Sequence, residues 1–234
     1  MLTQKQSFIY IESMMFRKKV MSLSGSSGTG KTTLALQLVG SGLTRVIPYQ
    51  NQCIWVQASE LFSKRRLLNM FQGDPKKQNY LTQNIFLTPS TKTFSNYTEQ
   101  KTGLEKLMHT VLPPFLKFIV VDNISHHLRY KISKIHKVGL ISRMLDDFYS
   151  TSLYPLIMLC QRENIGLILI HEVSFDPSSG SALPFFHKLY DRLDLLHITL
   201  SNTIGSDLKT LRLKYNDVSK TLAYEIATKG LIFL

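Results

Sequence analysis

The chain has 234 residues, the span of a single α/β domain, and a hydrophobic content of 44% that supports a packed core and excludes a low-complexity chain. Lys plus Arg number 28 against 16 Asp plus Glu, a net charge of +12; the basic residues cluster, which points to a polyanion such as nucleic acid as partner. No apolar run approaches the roughly 18 residues of a membrane span, and the opening MLTQKQSFIYIESMMFRKKV lacks the three parts of a secretory signal. The expectation is an intracellular protein, in cytoplasm or nucleoid (the nucleus in a eukaryote), with no membrane contact. Cys53 and Cys160 lie in apolar runs and read as buried free thiols.

In chain order, residues 1–17 read as a short lead-in. KKVMSLSG is a hydrophobic strand running into Gly25. TTLALQLVGSGL has helical spacing, with Leu34, Leu38 and Val39 on one face. QCIWVQA is a second buried strand, ELFSKRRLLNMF a helix and NIFLT a third strand. A polar loop follows over 88–98, then the helix EQKTGLEKLMHTVL, stopped by Pro113 and Pro114. FLKFIVVDN is a strong central strand and 125–138 a basic connector. LISRMLDDFYSTSLYPLIMLCQREN is helical, divided or kinked by Pro155. IGLILIHEV is a strand and SFDPSSGSALP a Gly/Pro/Ser-rich loop. DLLHITLS, LKTLRLKYN and TLAYEIA are strands joined by polar turns. Alternating strands and helices predict an α/β fold with a mainly parallel sheet covered on both faces and an antiparallel flank at the C-terminal end. One domain accounts for the whole chain.

Gly25, Ser26, Ser27, Gly28, Thr29, Gly30, Lys31 and Thr32 match G-x-x-x-x-G-K-[ST] at every fixed position, between a strand and a helix. Glycines allow the tight turn that aims backbone N–H groups at phosphate oxygens, and the helix N-terminus adds its dipole. Thr33 continues the motif. Lys31 reaches the β- and γ-phosphates, and the Thr32 hydroxyl is placed for Mg²⁺. FIVVD supplies the acidic partner: an apolar strand ending in Asp122, a second group for Mg²⁺. The expected ligand is ATP with Mg²⁺.

Hydrolysis asks for a base or water-positioning group. Glu60 follows CIWVQA and reads either as that group or as a first-turn helix glutamate favoured by the macrodipole. Glu172, closing LILIHE, suits a sensor better than a base, because a carboxylate near a γ-phosphate repels it.

The ordered set formed by the phosphate loop, CIWVQASELFSKRRLL, FIVVDNISHHLR, NIGLILIHEVSFDPSSG and LRLKYNDVSKTLAYEIATKGL resembles the RecA/RadA recombinase family, specifically its short archaeal RadB-type branch, which is an ATPase core alone. The resemblance runs from about residue 18 to the C-terminus. It implies a P-loop NTPase with a RecA-like core and a site often completed by a neighbouring subunit. Matching Arg66 and Leu67 to the family's R-L places Ser59 on the catalytic Glu position, with Glu60 one residue late; Arg66 falls where the family has an arginine near the adenine. His171 and Glu172 stand where the family has a γ-phosphate-sensing N-Q pair, and Phe185, Phe186 and His187 where it has G-G-[NH]. The family's helix-hairpin-helix domain and F-x-x-A segment have no counterpart here, so filament formation is not expected.

The resemblance also places the first DNA-binding loop on NISHHLRYKISKIHKVGLISR. There Arg129, Lys131, Lys134 and Lys137 would contact phosphates, and His127 and Tyr130 would stack on bases. FRKK, 16–19, and SKRR, 63–66, extend the positive surface. SFDPSSGSALPFF carries no basic residue and reads as a lid near the nucleotide. The expected function is that of an ATP- and DNA-binding recombinase paralogue, mediating or regulating a RecA/RadA-type recombinase in recombination and repair with slow ATPase activity. Its partners would be single-stranded or branched DNA, a recombinase or related paralogue, and a second copy of itself. The alternatives are a KaiC-like regulatory ATPase without a DNA role and a non-catalytic ATP-binding subunit of a paralogue complex.

Overall fold

A computed structural model describes residues 4–176, 181–191, 193–203 and 208–234. The strands are β1 (Val20–Gly25), β2 (Gln52–Gln57), β3 (Ile85–Thr88), β4 (Leu116–Asp122), β5 (Gly166–His171), β6 (Val173–Asp176), β7 (Ser181–Pro184), β8 (Leu196–Asn202), β9 (Lys209–Tyr215), β10 (Val218–Ala227) and β11 (Gly230–Phe233). The helices are α1 (Gln4–Lys18), α2 (Lys31–Leu43), α3 (Lys64–Met70), α4 (Pro75–Asn84), α5 (Tyr97–His109), α6 (His126–Ile132), α7 (Val138–Phe148), α8 (Tyr154–Arg162) and the single turn α9 (His187–Tyr190).

Among the described residues nine strands form one sheet in the order β11-β10-β9-β8-β1-β5-β4-β2-β3. From β8 to β3 the pairings are parallel, while β9, β10 and β11 run antiparallel to their neighbours. Every residue of β1 and β5 is buried, the signature of strands covered on both faces. Period-two alternation divides the core. Met21, Leu23, Trp55, Val120 and Ile168 pack against α1 and α2, with Leu67 of α3 and Leu81 of α4. Val20, Val56, Ile119, Val121 and Leu167 pack against α5, α6 and α8. The sheet is thereby a two-sided wall whose C-terminal strand ends stand side by side.

Five readings of the sequence need correction. The lead-in is a 15-residue helix, α1, anchored by fully buried Ile11 and Met15. The basic connector contains α6, whose buried His127, Leu128 and Ile132 the surrounding charges obscure. The predicted helix over 60–71 is the shorter α3, and α4 follows it, started by Asp74, which accepts from the Lys77 N–H, and by Pro75 in its first turn. The Ser/Pro-rich segment forms the paired strands β6 and β7, with 177–180 outside the described residues. A last strand, β11, closes the flank. As expected, Pro155 divides the long helical stretch: α7 runs into a π turn over Tyr149–Leu153 and α8 restarts with the proline in its first turn. Cys53 and Cys160 are buried free thiols.

Candidate nucleotide-binding site

The loop between β1 and α2 lies at the C-terminal edge of the sheet. Gly25 has φ +156°, and a Cβ there would sit 2.5 Å from the Leu200 carbonyl oxygen and 2.6 Å from Thr29 Oγ1. Gly30 takes φ +92° as the residue before α2, a conformation that costs a side-chain-bearing residue energy. No acid stands in the first turn of α2, so its free N–H groups and dipole favour an anion. The loop is braced from far away in sequence. Tyr224 of β10 donates its hydroxyl to the Thr29 carbonyl at 2.6 Å, and Gln37 of α2 accepts from the Leu231 N–H at 2.8 Å.

The loop opens onto a cleft of about 710 Å³ lined by residues 25–28 and 30–33 together with Glu60, Arg66, Asp122, Arg129 and Glu172. A groove of about 1030 Å³ between β3 and α5 is larger, but it is walled by Ile54, Phe86, Leu87 and Phe94 and receives no helix N-terminus from the phosphate loop.

Thr32 Oγ1 donates to Asp122 Oδ2 at 2.9 Å, so the two residues expected to share a cation are already in contact. Asp122 is 5% exposed; burial, against the Thr32 bond, raises its carboxyl to about 6. Its backbone carbonyl accepts from the N–H groups of Ala58 and Ser59, which locks the end of β4 to the end of β2. Lys31 turns back to donate to the carbonyls of Gly25 at 2.8 Å and Ser26 at 2.9 Å. Burial lowers its pKa, an effect opposed by Asp122, Glu60 and Glu172. The Arg66 guanidinium donates to the Thr33 hydroxyl.

Glu60 is exposed and lines the cleft, whereas Ser59, the residue that falls on the family's catalytic position, is held by its N–H to Asp122. Glu172 is engaged on both oxygens: Oε1 with His126 Nδ1 at 2.8 Å and Oε2 with Arg129 Nη1 at 3.0 Å. Burial disfavours its charge, but His126 and Arg129 outweigh that and hold the carboxyl below its ordinary range.

The four cations expected to contact phosphates have different surroundings. Arg129 faces Glu172 in the cleft wall. Lys131 lies 5.7 Å from the Tyr97 ring, on the α5 side. Lys134 caps the exposed Tyr130 ring at 4.0 Å, and Lys137 precedes α7. His127 does not stack on bases: it is buried and bonded to the Ala58 carbonyl at 2.8 Å. Sequence reasoning missed Tyr224 and His126 because their partners lie 195 and 46 residues away.

His171, at the end of β5, is fully buried with its ring edge-on to Tyr190 at 4.3 Å. Neither of its ring nitrogens has a partner among the described residues, and burial drives its pKa down to about 3.

The NB-ARC domain family model matches residues 11–163, from α1 through α8. The chain is 24% identical over 216 residues to the DNA repair and recombination protein RadB of Pyrococcus furiosus (strain ATCC 43587 / DSM 3638 / JCM 8422 / Vc1), an alignment covering 91% of this chain and 85% of that one. Among solved structures it is similar to the RadB recombinase, with a TM-score of 0.66 at 22% identity over 92% of this chain and 90% of the other. The family match ends before β5, whereas both RadB alignments extend over nine-tenths of the chain. No helix among the described residues is long and apolar enough to cross a membrane. With its complete phosphate loop, the chain belongs to the NB-ARC domain family, and its fold is like that of the RadB recombinase.

Proposed function

We propose that this protein acts in DNA recombination and repair as a regulator of a RecA/RadA-type recombinase, holding ATP with Mg²⁺ and hydrolysing it slowly. The observation that carries the nucleotide half is the 2.9 Å contact between Thr32 and Asp122 beneath the phosphate loop. Two hard oxygen donors meet there, one a buried carboxylate that its surroundings leave under-neutralised, which suits a divalent cation. Thr32 and Asp122 would hold Mg²⁺, which supplies charge neutralisation at the phosphates when bound. The loop amides and the N-terminus of α2 bind and orient the phosphates, Lys31 exchanges its two carbonyl partners for them, and Arg66 stands at the cleft wall.

Slow turnover follows from the rim. Glu60, the group proposed to position water, is solvent-exposed, and Glu172 is committed to Arg129 and His126. The recombination role rests on the similarity to RadB and on the +12 charge. The partners proposed are single-stranded or branched DNA, a recombinase or related paralogue, and a second copy of this chain, in an intracellular setting. The whole chain acts as one ATPase domain. ATP binding and turnover, measured with and without Mg²⁺ and oligonucleotide, test this. Mg²⁺-dependent binding with slow turnover sensitive to DNA is expected; failure to bind Mg²⁺-ATP overturns it.

A further inference from the structure

The parallel strands begin at the edge of the sheet opposite the cleft, roughly 20 Å from the phosphate loop along β1. Positive charge collects there. Arg17 and Lys18 end α1, Lys19 precedes β1, Lys117 is the second residue of β4, Lys220 lies near the start of β10, and Lys214, on the other face of the sheet from Leu213, near the end of β9. The macrodipole of α1 favours the first two at its C-terminal end. It does not account for the other four, which come from separate elements.

These lysines are supported by rings. Lys18 Nζ sits 3.4 Å from the Tyr215 ring centroid, Lys220 4.5 Å from Tyr10 and Lys117 5.5 Å from Phe16. Ring faces fix a cation in position without neutralising it. Lys19 and Lys117 repel one another: the pKa of Lys19 is lowered by burial and then by Lys117. Like charges brought together by four strands and a helix cost folding energy that a polyanion would recover. Two carboxylates near this edge are engaged, Glu163 with Arg162 and Glu12 with Arg45 and Ser41, while Asp217 in the β9–β10 turn and Asp194 before β8 offset part of the charge and leave the six cations in excess.

We propose that this basal edge, rather than the α6 connector, is the principal surface for the phosphate backbone of a nucleic acid. The inference rests on the DNA reading of the function and relocates the contact. On the connector side Arg129 is paired with Glu172, whereas Lys131 and Lys134, like the basal lysines, rest against rings that leave their charge intact. A backbone contact at the basal edge leaves the nucleotide cleft open, so both ligands bind at once.

The test titrates labelled single-stranded and duplex oligonucleotides at several salt concentrations against three proteins. They are the wild type, a basal triple variant (Lys18→Gln, Lys117→Gln, Lys214→Gln) and a connector pair (Lys134→Gln, Lys137→Gln). Each lost phosphate contact lowers the log–log salt slope by about 0.9 on duplex and about 0.7 on single strands. The basal triple should lose a slope of about 2.7 on duplex and about 2.1 on single strands, and at least about tenfold in affinity at physiological salt, with ATP affinity unchanged. The connector pair should lose less. Lysine acetylation of the wild type supplies a second readout that does not depend on variant folding: oligonucleotide should protect Lys18, Lys117 and Lys214. Wild-type binding with an undiminished basal triple, or without that protection, overturns this inference and leaves the proposed function standing. No wild-type binding overturns both the inference and the DNA half of the function. Binding to phosphatidylserine vesicles in place of oligonucleotide overturns the inference in favour of a membrane surface.

Discussion

On the floor of the cleft, Lys31, Thr32 and Asp122 are carried by the first turn of α2 and the buried end of β4. On its rim, Glu60 is exposed beyond β2 and Glu172 sits just past β5, bonded to His126 and Arg129. The floor is set by the backbone: Asp122 is buried, bonded to Thr32 and held through its carbonyl by the N–H groups of Ala58 and Ser59, while Lys31 and Thr32 are half-buried. The rim is adjustable, because partly exposed ion pairs are worth little and exchange partners readily. Binding and hydrolysis are therefore separable properties of this cleft, and substitutions on the two sides should separate them.

The largest effect belongs to the floor. Lys31→Ala should reduce ATP affinity by about 100-fold, roughly 3 kcal/mol, through loss of charge-assisted bonds to phosphate; calorimetry checks this, and retained affinity would mean the loop amides suffice. On the rim, Glu60→Gln should leave affinity unchanged and cut turnover by about 100-fold if it positions water. An unaltered rate in single-turnover assays would show that Glu60 does not position water; with α3 starting at Lys64 it is not a first-turn helix glutamate either.

His171 lies beneath the rim and gives the comparison a pH axis. Its ordinary value is 6.5 and its folded value about 3, so below 6.5 the unfolded chain takes up a proton that the folded ring refuses. Its contribution is complete above pH 6.5 and is lost progressively as pH falls towards 3. His171→Phe should flatten that loss by on the order of 2 kcal/mol at pH 4, read from denaturant midpoints of both proteins. Parallel curves would show that the ring is not kept neutral. Tyr224→Phe removes the brace on the Thr29 carbonyl and should lower stability by about 1 kcal/mol, with a matching drop in melting temperature. The smallest expected change is in Glu172→Gln. Releasing Arg129 and removing a negative charge from the cleft should raise ATP affinity by about threefold, under 1 kcal/mol; weaker binding would show that the cluster supports the bound state.

Much of the floor was legible because its signals are local. G-x-x-x-x-G-K-T encodes a turn whose backbone geometry only glycines accept at Gly25 and Gly30, and FIVVD encodes a buried strand that ends in a carboxylate. The order of strands and helices gave the parallel sheet and its antiparallel flank. The rim was less legible. Nothing in HHLRYKI announces that His127 turns inward to Ala58, or that Arg129 meets a glutamate 43 residues on. The helix α1 was overlooked because its periodicity is weak and its burial comes from strands elsewhere in the chain.

The sequence by itself determined the phosphate loop, its acidic partner and the alternation of strands and helices, since each depends on backbone geometry and apolar period within a few residues. Tertiary structure alone decided which charges meet. Arg129 faces Glu172 in the cleft wall, while lysines of α1, β4, β9 and β10 gather at the opposite edge, because electrostatic pairing depends on distance in space and the sheet sets that distance.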